Sequence, residues 1–508
     1  GSVKLTNQAP VSVSGQTTVG LMALSAANDG GVSNVGNRSS SGGRLYKPKD
    51  ADAVTLSNYN RVRVQGDVAL GIVATSAGSG GLLHGLAAVG NGAKATFVHG
   101  GAGFATGRRV KGYYPCDSCT YTWEIENAKL DPSPAMNDGG SVTVTNESGA
   151  SVVVGNADRT SLISYGLIAQ SIGHAGGVAL GGASAQIGSK EAGGGHGGTV
   201  AVNNYGSLTV LGESAVGVLA QSIGGGGGAG ANSDSLFAAL GGSGGSGGNG
   251  GALNVNFYSG SAVVTNGDFA VGVIGHSIGG GGGHGGGAKS TGLFVDTAIG
   301  GSGGDGGNGG SISVTSAGKS FWTAGQHAHG MVLQSIGGGG GVGGSANSHS
   351  DGLVFAVSVA TGGTGGKGGD GGTIQGDSGD DTPVQSSVIT NAHNSTAIIL
   401  QSIGGGGGIG GAATAKSMVL GLGTLDPELS EVPAIGVSVA LGGTGGSGGH
   451  GGTVEYWHVG NLSTYGNNSH GILSQSIGGG GGSGCDGTAS SQTLGAADTQ
   501  INIGLGLG

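Results

Sequence analysis

The chain has 508 residues, of which 128 are glycine and only 8 are proline. Glycine makes up about a quarter of the chain against a usual share of roughly 7%, but without a strict Gly-X-Y period this composition excludes collagen. Charged residues are 9% and the net charge is −10. These values exclude a basic nucleic-acid-binding surface and do not fit a highly charged disordered chain. No apolar run approaches the roughly 18 residues that predict a transmembrane helix.

The first part of the chain, residues 3–94, carries faded copies of a repeat. The Gly-Ser pair at residues 1–2 is interpreted as a cloning scar and is left out of the fold prediction. Leu21–Ser25 and Val73–Ser76 are short apolar phrases that end in a small hydroxyl residue. We expect residues 3–94 to form degenerate repeats of the same solenoid as the rest of the chain.

Residues 95–138 interrupt this pattern with a segment rich in aromatic and basic side chains. Aromatic residues and arginine are the usual anchors of binding surfaces. The segment is therefore the predicted ligand-binding region, the alternative being a small accessory subdomain that only caps the solenoid. The candidate ligand-binding residues are Arg108, Arg109, Tyr113, Tyr114, Tyr121 and Trp123.

The same segment contains a Cys-x-x-Cys sequence formed by Cys116 and Cys119. A thioredoxin-like redox motif would need a βαβ context, which is missing, and a zinc site would need a second pair of ligands. The remaining cysteine, Cys485, is far away in the sequence. We predict a disulfide between Cys116 and Cys119 that closes a small loop in an oxidising compartment.

Residues 139–484 repeat one phrase, in which Gln-Ser-Ile or a close variant leads into a run of glycines. The copies begin at Gln170, Gln221, His276, Gln334, Gln401 and Gln475. A fixed phrase at intervals that grow from 51 to 74 residues predicts a solenoid with variable loops on one side. Residues 485–508 are interpreted as a partial repeat, because their apolar end resembles residues 435–442. The glutamines are expected either to stack as an amide ladder or to cap backbone groups.

A second marker follows in each repeat, a block with the register Gly-Gly-x. It occupies residues 241–251, 300–310, 362–372 and 442–452. In isolation such a sequence is typical of a flexible linker. However, the period of three matches the three residues per turn of a polyglycine II or polyproline II helix. Both interpretations remain open, ordered glycine helices or mobile loops.

The sequence gives no candidate catalytic, cofactor-binding or metal-binding residues. The many Gly-x-Gly-x-x-Gly matches arise from composition and lack a βαβ unit, so they do not predict a nucleotide site. Aspartates do not recur in the register of a calcium-binding glycine repeat. No serine sits in the strand-to-helix context of a hydrolase nucleophile. We predict that the protein is not an enzyme and uses no cofactor.

Two stretches carry a resemblance to a known family: Asn204–Gly206 with Gly217–Gly228, and Asn461–Gly466 with Gly471–Gly482. The pattern Asn-x-Gly, Gly-Ile/Val and Gln-Ser-Ile-polyglycine resembles the passenger regions of autotransporters (type V secretion) of Gram-negative bacteria. This resemblance implies a right-handed parallel β-helix at the cell surface and a C-terminal outer-membrane barrel that lies outside this sequence. The Gly-Gly-x blocks also resemble, more weakly, the polyglycine helices of phage tail-fibre adhesins.

The expected fold is all-β, an elongated parallel β-helix whose glycine-rich segments can form polyglycine II. With two or three coils per repeat, its length would be on the order of 80–110 Å. The expected function is a cell-surface adhesin or stalk that binds a host or bacterial receptor or glycan, or a copy of itself, through many weak sites. Alternatives are a structural surface or filament protein, a phage-type receptor-binding fibre and a secreted polysaccharide-active enzyme. The enzyme would need paired carboxylates that the repeats do not offer.

Overall fold

The structure is a computed structural model. It describes residues 1–27, 50–78, 83–85, 105–106, 129–130, 138–156, 158, 160–176, 178–180, 193–376, 384–495 and 497–508. These residues form β-strands, turns and extended glycine segments, and the strands of all the large sheets pair in parallel. The predicted parallel β-helix is therefore confirmed. Among the described residues there are two 3₁₀ turns, Leu422–Thr424 and Pro427–Leu429, but no helix long and apolar enough to cross a membrane.

Three sheets, named A, B and C here, enclose the main core. Sheet A contains Val3–Asn7, Val54–Asn58, Val142–Asn146, Val200–Asn204, Leu253–Phe257, Ile312–Ala324, Ile374–Gly376 and Val454–Tyr456. Sheet B contains Val11–Ser14, Arg61–Gln65, Ser151–Val154, Ser207–Leu211, Ala262–Asn266, Val384–Thr390, His458–Val459 and Leu462–Thr464, and it joins sheet A through the long strand Ile312–Ala324. Sheet C contains Thr17–Ala26, Val68–Ala77, Ile163–Ile172, Ser214–Ile223, Val271–Ile278, Met331–Ile336, Ile398–Ile403 and Ile472–Ile477.

Two further sheets, D and E, form a second lobe, called the distal sandwich. Sheet D contains Ser233–Ser235, Ala288–Leu293, Ala346–Gly352, Ala413–Leu420 and Gly487–Leu494. Sheet E contains Ala238–Leu240, Val295–Ile299, Phe355–Thr361, Ala434–Leu441 and Gln500–Leu507. Residues 485–508 thus supply the last strands of both sheets. Two short pairs complete the strands, Leu83–Gly85 with Val178–Leu180 and Ala105–Thr106 with Lys129–Leu130.

The main core lies between sheets A, B and C and consists of aliphatic side chains with two phenylalanines. Alternate strand residues point inward, since side chains in a strand alternate between the two faces. In sheet C, Val218 and Ala220 are fully buried, whereas Leu219 and Ile223 on the outer face are only half-buried. Phe257 and Phe321 meet edge to face with ring centroids 4.8 Å apart. Val, Leu and Ile dominate this core, as expected for strands in a parallel β-helix.

Each sequence repeat forms one coil of the β-helix. From sheet A the chain passes through B and C, runs out along a first glycine block to sheets D and E, and returns along the Gly-Gly-x block. Sheet C has eight strands, so at a spacing of about 4.8 Å the stack rises by roughly 34 Å from the first strand to the last. The expectation of two or three coils per repeat was therefore wrong. The glycine blocks widen each coil instead of adding further coils.

The glycine blocks are ordered and form two hydrogen-bonded layers between the main core and the distal sandwich. The first layer consists of the blocks that follow Gln-Ser-Ile, and the second consists of the Gly-Gly-x blocks. In the first layer, the N–H groups of Gly224 and Gly227 donate to the carbonyls of Ile278 and Gly281 in the next coil, at 2.8 Å. Donation at every third residue is the pattern of polyglycine II, because each turn of that helix contains three residues. This favours the ordered interpretation of the blocks over the flexible linker.

The second layer repeats the same arrangement and is bonded to the first. Gly244 and Gly247 donate to Ser302 and Asp305 of the next coil, at 2.8 and 2.7 Å. Between the layers, Gly248 donates to Gly225 at 2.7 Å. Two of every three residues in a block thus donate their N–H to a neighbouring glycine segment, whereas the third accepts through its carbonyl and directs its side chain to solvent. This explains the Gly-Gly-x register.

Candidate functional site

All the predicted site residues lie outside the residues that the structure describes. This applies to the candidate ligand-binding residues Arg108, Arg109, Tyr113, Tyr114, Tyr121 and Trp123, and to Cys116 and Cys119 of the predicted disulfide. These assignments stay predictions. Among the described residues, Cys485 is a free cysteine. Candidate surfaces must therefore be found on the coils themselves.

The Gln-Ser-Ile phrase has a structural role in which the glutamines stack as an amide ladder. The side chain of Gln170 donates to Gln221 at 2.7 Å, and Gln401 donates to Gln475 at 2.6 Å. His276 takes one place in this ladder, with its Nδ1 3.2 Å from the Gln221 amide nitrogen. Burial lowers the pKa of His276, an effect partly opposed by a hydrogen bond with Gln334. Of the two roles expected for these glutamines, the structure shows the ladder.

The serine of the same phrase forms hydrogen bonds with the last glycines of the Gly-Gly-x blocks, a role that the sequence analysis missed. The hydroxyl of Ser335 donates to the Gly310 carbonyl and accepts the Gly372 N–H, both at 2.8 Å. Ser222 bridges the preceding coils in the same way, through Gly198 and Gly251. The recurrence of serine beside each glutamine was the signal that could have predicted it. One hydroxyl thus satisfies two backbone groups that would otherwise be buried without partners.

The outer column of the second glycine layer is capped by side chains. His196 Nδ1 accepts the Asn249 N–H at 2.7 Å, Asn249 accepts from Asn308, and Asp370 accepts from His450. Each side chain therefore receives the outward-facing N–H of the next coil. His196 and His450 act here as members of a backbone ladder. Within the described ranges, no group of three or more His, Cys, Asp or Glu residues could hold a metal ion.

In the outer column of the first glycine layer, by contrast, no side chain among the described residues caps the N–H group of the third glycine in each five-glycine block. Its third glycines, such as Gly281 and Gly339, are exposed, and no hydrogen bond among the described residues takes up their N–H groups. A shallow groove of about 660 Å³ continues from this layer towards sheet D, where it is lined by His284, Lys289 and Asn347 among others. This groove presents backbone amides and a few polar side chains to solvent.

Stacked rings form short columns at the turns between sheets. Tyr205 and Tyr258 stack with ring centroids 4.0 Å apart, and burial, with a smaller contribution from Tyr205, raises the pKa of Tyr258. Phe269 and His327 stack at 5.2 Å, both with a left-handed backbone (φ 61° and 57°). Equivalent turn positions in successive coils thus place rings above one another. Such columns are a candidate contact surface because aromatic rings are common interface anchors.

The two sheets of the distal sandwich have outer faces of opposite character. The outer face of sheet D carries polar and charged residues, including Lys289, Asn347 and Lys416. The outer face of sheet E carries mainly large apolar residues, including Val295, Phe355 and Ile435, each of which is more than one-third exposed. Only small or polar side chains lie between the sheets over most of their length. Sheet E therefore presents an exposed apolar surface that the sequence analysis did not predict.

No family model, no curated protein and no solved structure matches this chain. The functional assignment therefore depends on the surfaces described above and on the resemblance of the repeat motif. The site that the sequence favours, residues 95–138, joins the chain between strands Val68–Ala77 and Val142–Asn146. This is where later coils carry their glycine blocks and the distal sandwich.

Proposed function

We propose that this chain is part of a cell-surface adhesin or stalk of a Gram-negative bacterium, the passenger region of an autotransporter. The observation that carries this proposal is the columnar surface. Each coil places equivalent side chains above one another about 4.8 Å apart, as in the Tyr205–Tyr258 stack and the Gln401–Gln475 ladder. A rigid array of repeated weak sites suits multivalent attachment to a surface. The proposed partners are receptors or glycans on host or bacterial cells.

Within this proposal, residues 95–138 supply the main receptor contact. This segment concentrates aromatic and arginine side chains in a chain that is otherwise poor in both. Such residues contribute most of the binding energy at protein interfaces. The glycine layers and the three-sheet core then act as the rigid support that holds the segment. An outer-membrane barrel beyond this sequence would anchor it.

The proposal is tested by measuring adhesion of beads coated with the purified chain to bacteria and to cultured host cells. We expect wild-type beads to adhere, and replacement of Tyr113, Tyr114, Tyr121 and Trp123 by serine to reduce adhesion at least tenfold. A matched control replaces Trp457 and Tyr465 by serine, because both are exposed aromatic residues on the coils. Absence of adhesion to every surface would contradict the proposal, and hydrolysis of a glycan by the chain would favour the enzyme.

A structural surface or filament protein is the second candidate function. The specific observation that favours it is the exposed apolar outer face of sheet E, since exposed apolar patches commonly mark assembly surfaces. In that case the chain would assemble without any cellular receptor. Adhesion of wild-type beads and its loss on changing residues 95–138 separate the two candidates.

A further inference from the structure

In sheet E the apolar and polar side chains face the opposite way from those in an ordinary sandwich sheet. Large apolar residues normally face the core and polar residues face solvent. Here the residues that point into the sandwich are small or polar, such as Ala298, Ala360, Ser358 and Ser438, and all four are fully buried. The β-branched and aromatic side chains of the same strands point outward.

The strand register places these outward residues in four adjoining columns. The first contains Leu240, Ile299, Thr361, Leu441 and Leu507. The second contains Ala238, Thr297, Val359, Val439 and Leu505, and the third contains Val295, Val357, Val437 and Ile503. The fourth contains Phe355, Ile435 and Ile501. Two threonines are the only polar side chains in this set, and no charged side chain is present.

The area of this apolar face is larger than a soluble monomer usually leaves exposed to water. The five strands of sheet E contain between 3 and 8 residues each. At about 4.8 Å between strands and roughly 3.3 Å per residue, the face spans on the order of 500 Å². Turn residues at its margin extend it, because Phe237 and Phe294 are 58% and 42% exposed. Soluble monomers rarely expose continuous apolar patches larger than a few hundred Å². The outer face of sheet D, which contains Lys289 and Lys416, shows that the same lobe can present a polar surface.

The charge distribution indicates which partner covers the face. The chain has a net charge of −10, so two copies repel one another over most of their surfaces. The outer face of sheet E has no charged group to repel its own copy. Flat sheet faces also pack well on one another, about 10 Å apart and rotated by about 30°. A contact between two identical faces would bury on the order of 1,000 Å² in total, at the lower limit for a specific complex.

We propose that the outer face of sheet E is a self-association surface that packs face to face on the same surface of a second copy. The contact is isologous, so each residue near the two-fold axis meets its own counterpart. Its modest area makes the association reversible and dependent on concentration. This inference does not depend on the adhesin proposal, because it needs neither a cell surface nor residues 95–138.

The test is sedimentation velocity over a concentration series, with two matched threonine-to-lysine substitutions. Thr297 lies on the outer face of sheet E and Thr414 on the outer face of sheet D, and both are half-buried strand residues. We expect wild type and Thr414→Lys to dimerise alike, and Thr297→Lys to weaken the dimer at least tenfold. Circular dichroism and thermal unfolding verify that both variants fold.

A cross-linking experiment gives a second readout that does not depend on destabilising the contact. Val437 lies in the third column near the middle of the face, so Val437→Cys should form an intermolecular disulfide in dilute oxidant, whereas Thr414→Cys should not. A wild-type chain that stays monomeric at all concentrations overturns the proposal. If that monomer binds phosphatidylcholine vesicles, the face docks on lipid. If deletion of residues 95–138 makes it dimerise, the face is covered by the chain's own insertion.

Discussion

At the scale of single residues, the five glycines of one block are not equivalent. A Cβ on Gly280 would overlap the carbonyl of Gly225 in the preceding coil, far inside contact distance. A Cβ on its neighbour Gly281 would have its nearest atom, the Gly339 carbonyl oxygen, 3.8 Å away. Gly280 is buried against the preceding coil, whereas Gly281 faces solvent. Close packing therefore requires glycine at only some positions of the run.

This difference gives a matched pair of substitutions. Gly280→Ala should destabilise the protein by about 3 kcal/mol or more, because the backbones of two adjacent coils would have to move apart. Gly281→Ala should be neutral or should stabilise by about 0.4–1 kcal/mol, since alanine restricts the unfolded chain. Urea unfolding of the two variants beside wild type measures the difference. Equal effects of the two substitutions would contradict the layered packing.

At the scale of elements, the distal sandwich contains a buried acid, Asp296. Its side chain is fully buried in sheet E, its Oδ1 accepts the Ser290 hydroxyl at 2.7 Å, and its Oδ2 has no hydrogen-bond partner. Burial raises the pKa of Asp296, and nearby Asp351 adds to the increase. Hydrogen bonds from Ser290 and Gly292 and the proximity of His349 oppose the increase. The folded state thus favours the protonated carboxyl.

The sign of the pH dependence follows from this shift. Because the folded pKa lies above the unfolded value, stability is highest below the unfolded pKa and decreases as the pH rises through the folded pKa. Asp296→Asn should therefore stabilise the protein at pH 7 by about 1–3 kcal/mol, because the amide removes the cost of ionising a buried and incompletely bonded carboxyl. The gain should disappear near pH 4.

Thermal unfolding at pH 4 and pH 7 measures the effect of Asp296→Asn. The control is Asp234→Asn, since Asp234 is exposed on the first strand of sheet D. We expect the unfolding temperature of the control variant to equal that of wild type at both values of pH. A loss of stability in Asp296→Asn at pH 7 would show that the ionised carboxylate has a favourable partner in the folded protein.

The sequence predicted the core elements better than the distal ones. Phrases such as Ser214–Ile223 are rich in Val, Leu and Ile, so their strands were predictable. The strands of sheet D, such as Ala346–Gly352, fall where the growing repeat interval predicted variable loops, and their Asn, Ser, His and Asp residues have weak strand propensity. They form strands because the preceding coil supplies a hydrogen-bonded template at residues 288–293.

The candidate site was less predictable than the fold. Composition alone selected residues 95–138, and the candidate binding residues within this segment lie outside the described residues, so that prediction stays untested. The apolar face of sheet E depends on which side of each strand turns inward, as with Val357 and Ser358. A local alternation does not reveal this direction, because an ordinary sandwich would place the valine inside. Only the packing between sheets D and E decides it.

At the scale of the whole molecule, the glycine layers join two separate cores into one coil. The three-sheet core contains Val, Leu and Ile, whereas the sandwich core consists largely of alanine, such as Ala346 and Ala413. Backbone hydrogen bonds carry the connection between them, since glycine provides almost no apolar surface to bury. Each coil contacts the coils before and after it, so stability should build up coil by coil, as in other solenoids.

The most direct test of this account is amide hydrogen exchange at single-residue resolution across residues 279–286. The N–H groups of Gly279 and Gly280 are bonded, that of Gly281 is free, Gly282 and Gly283 are bonded, and His284 is free. The account predicts a repeating pattern of two slow amides and one fast amide, because hydrogen-bonded amides exchange only when the structure opens. Uniformly fast exchange across the block would show that the glycines form a mobile linker and would contradict the layered coil.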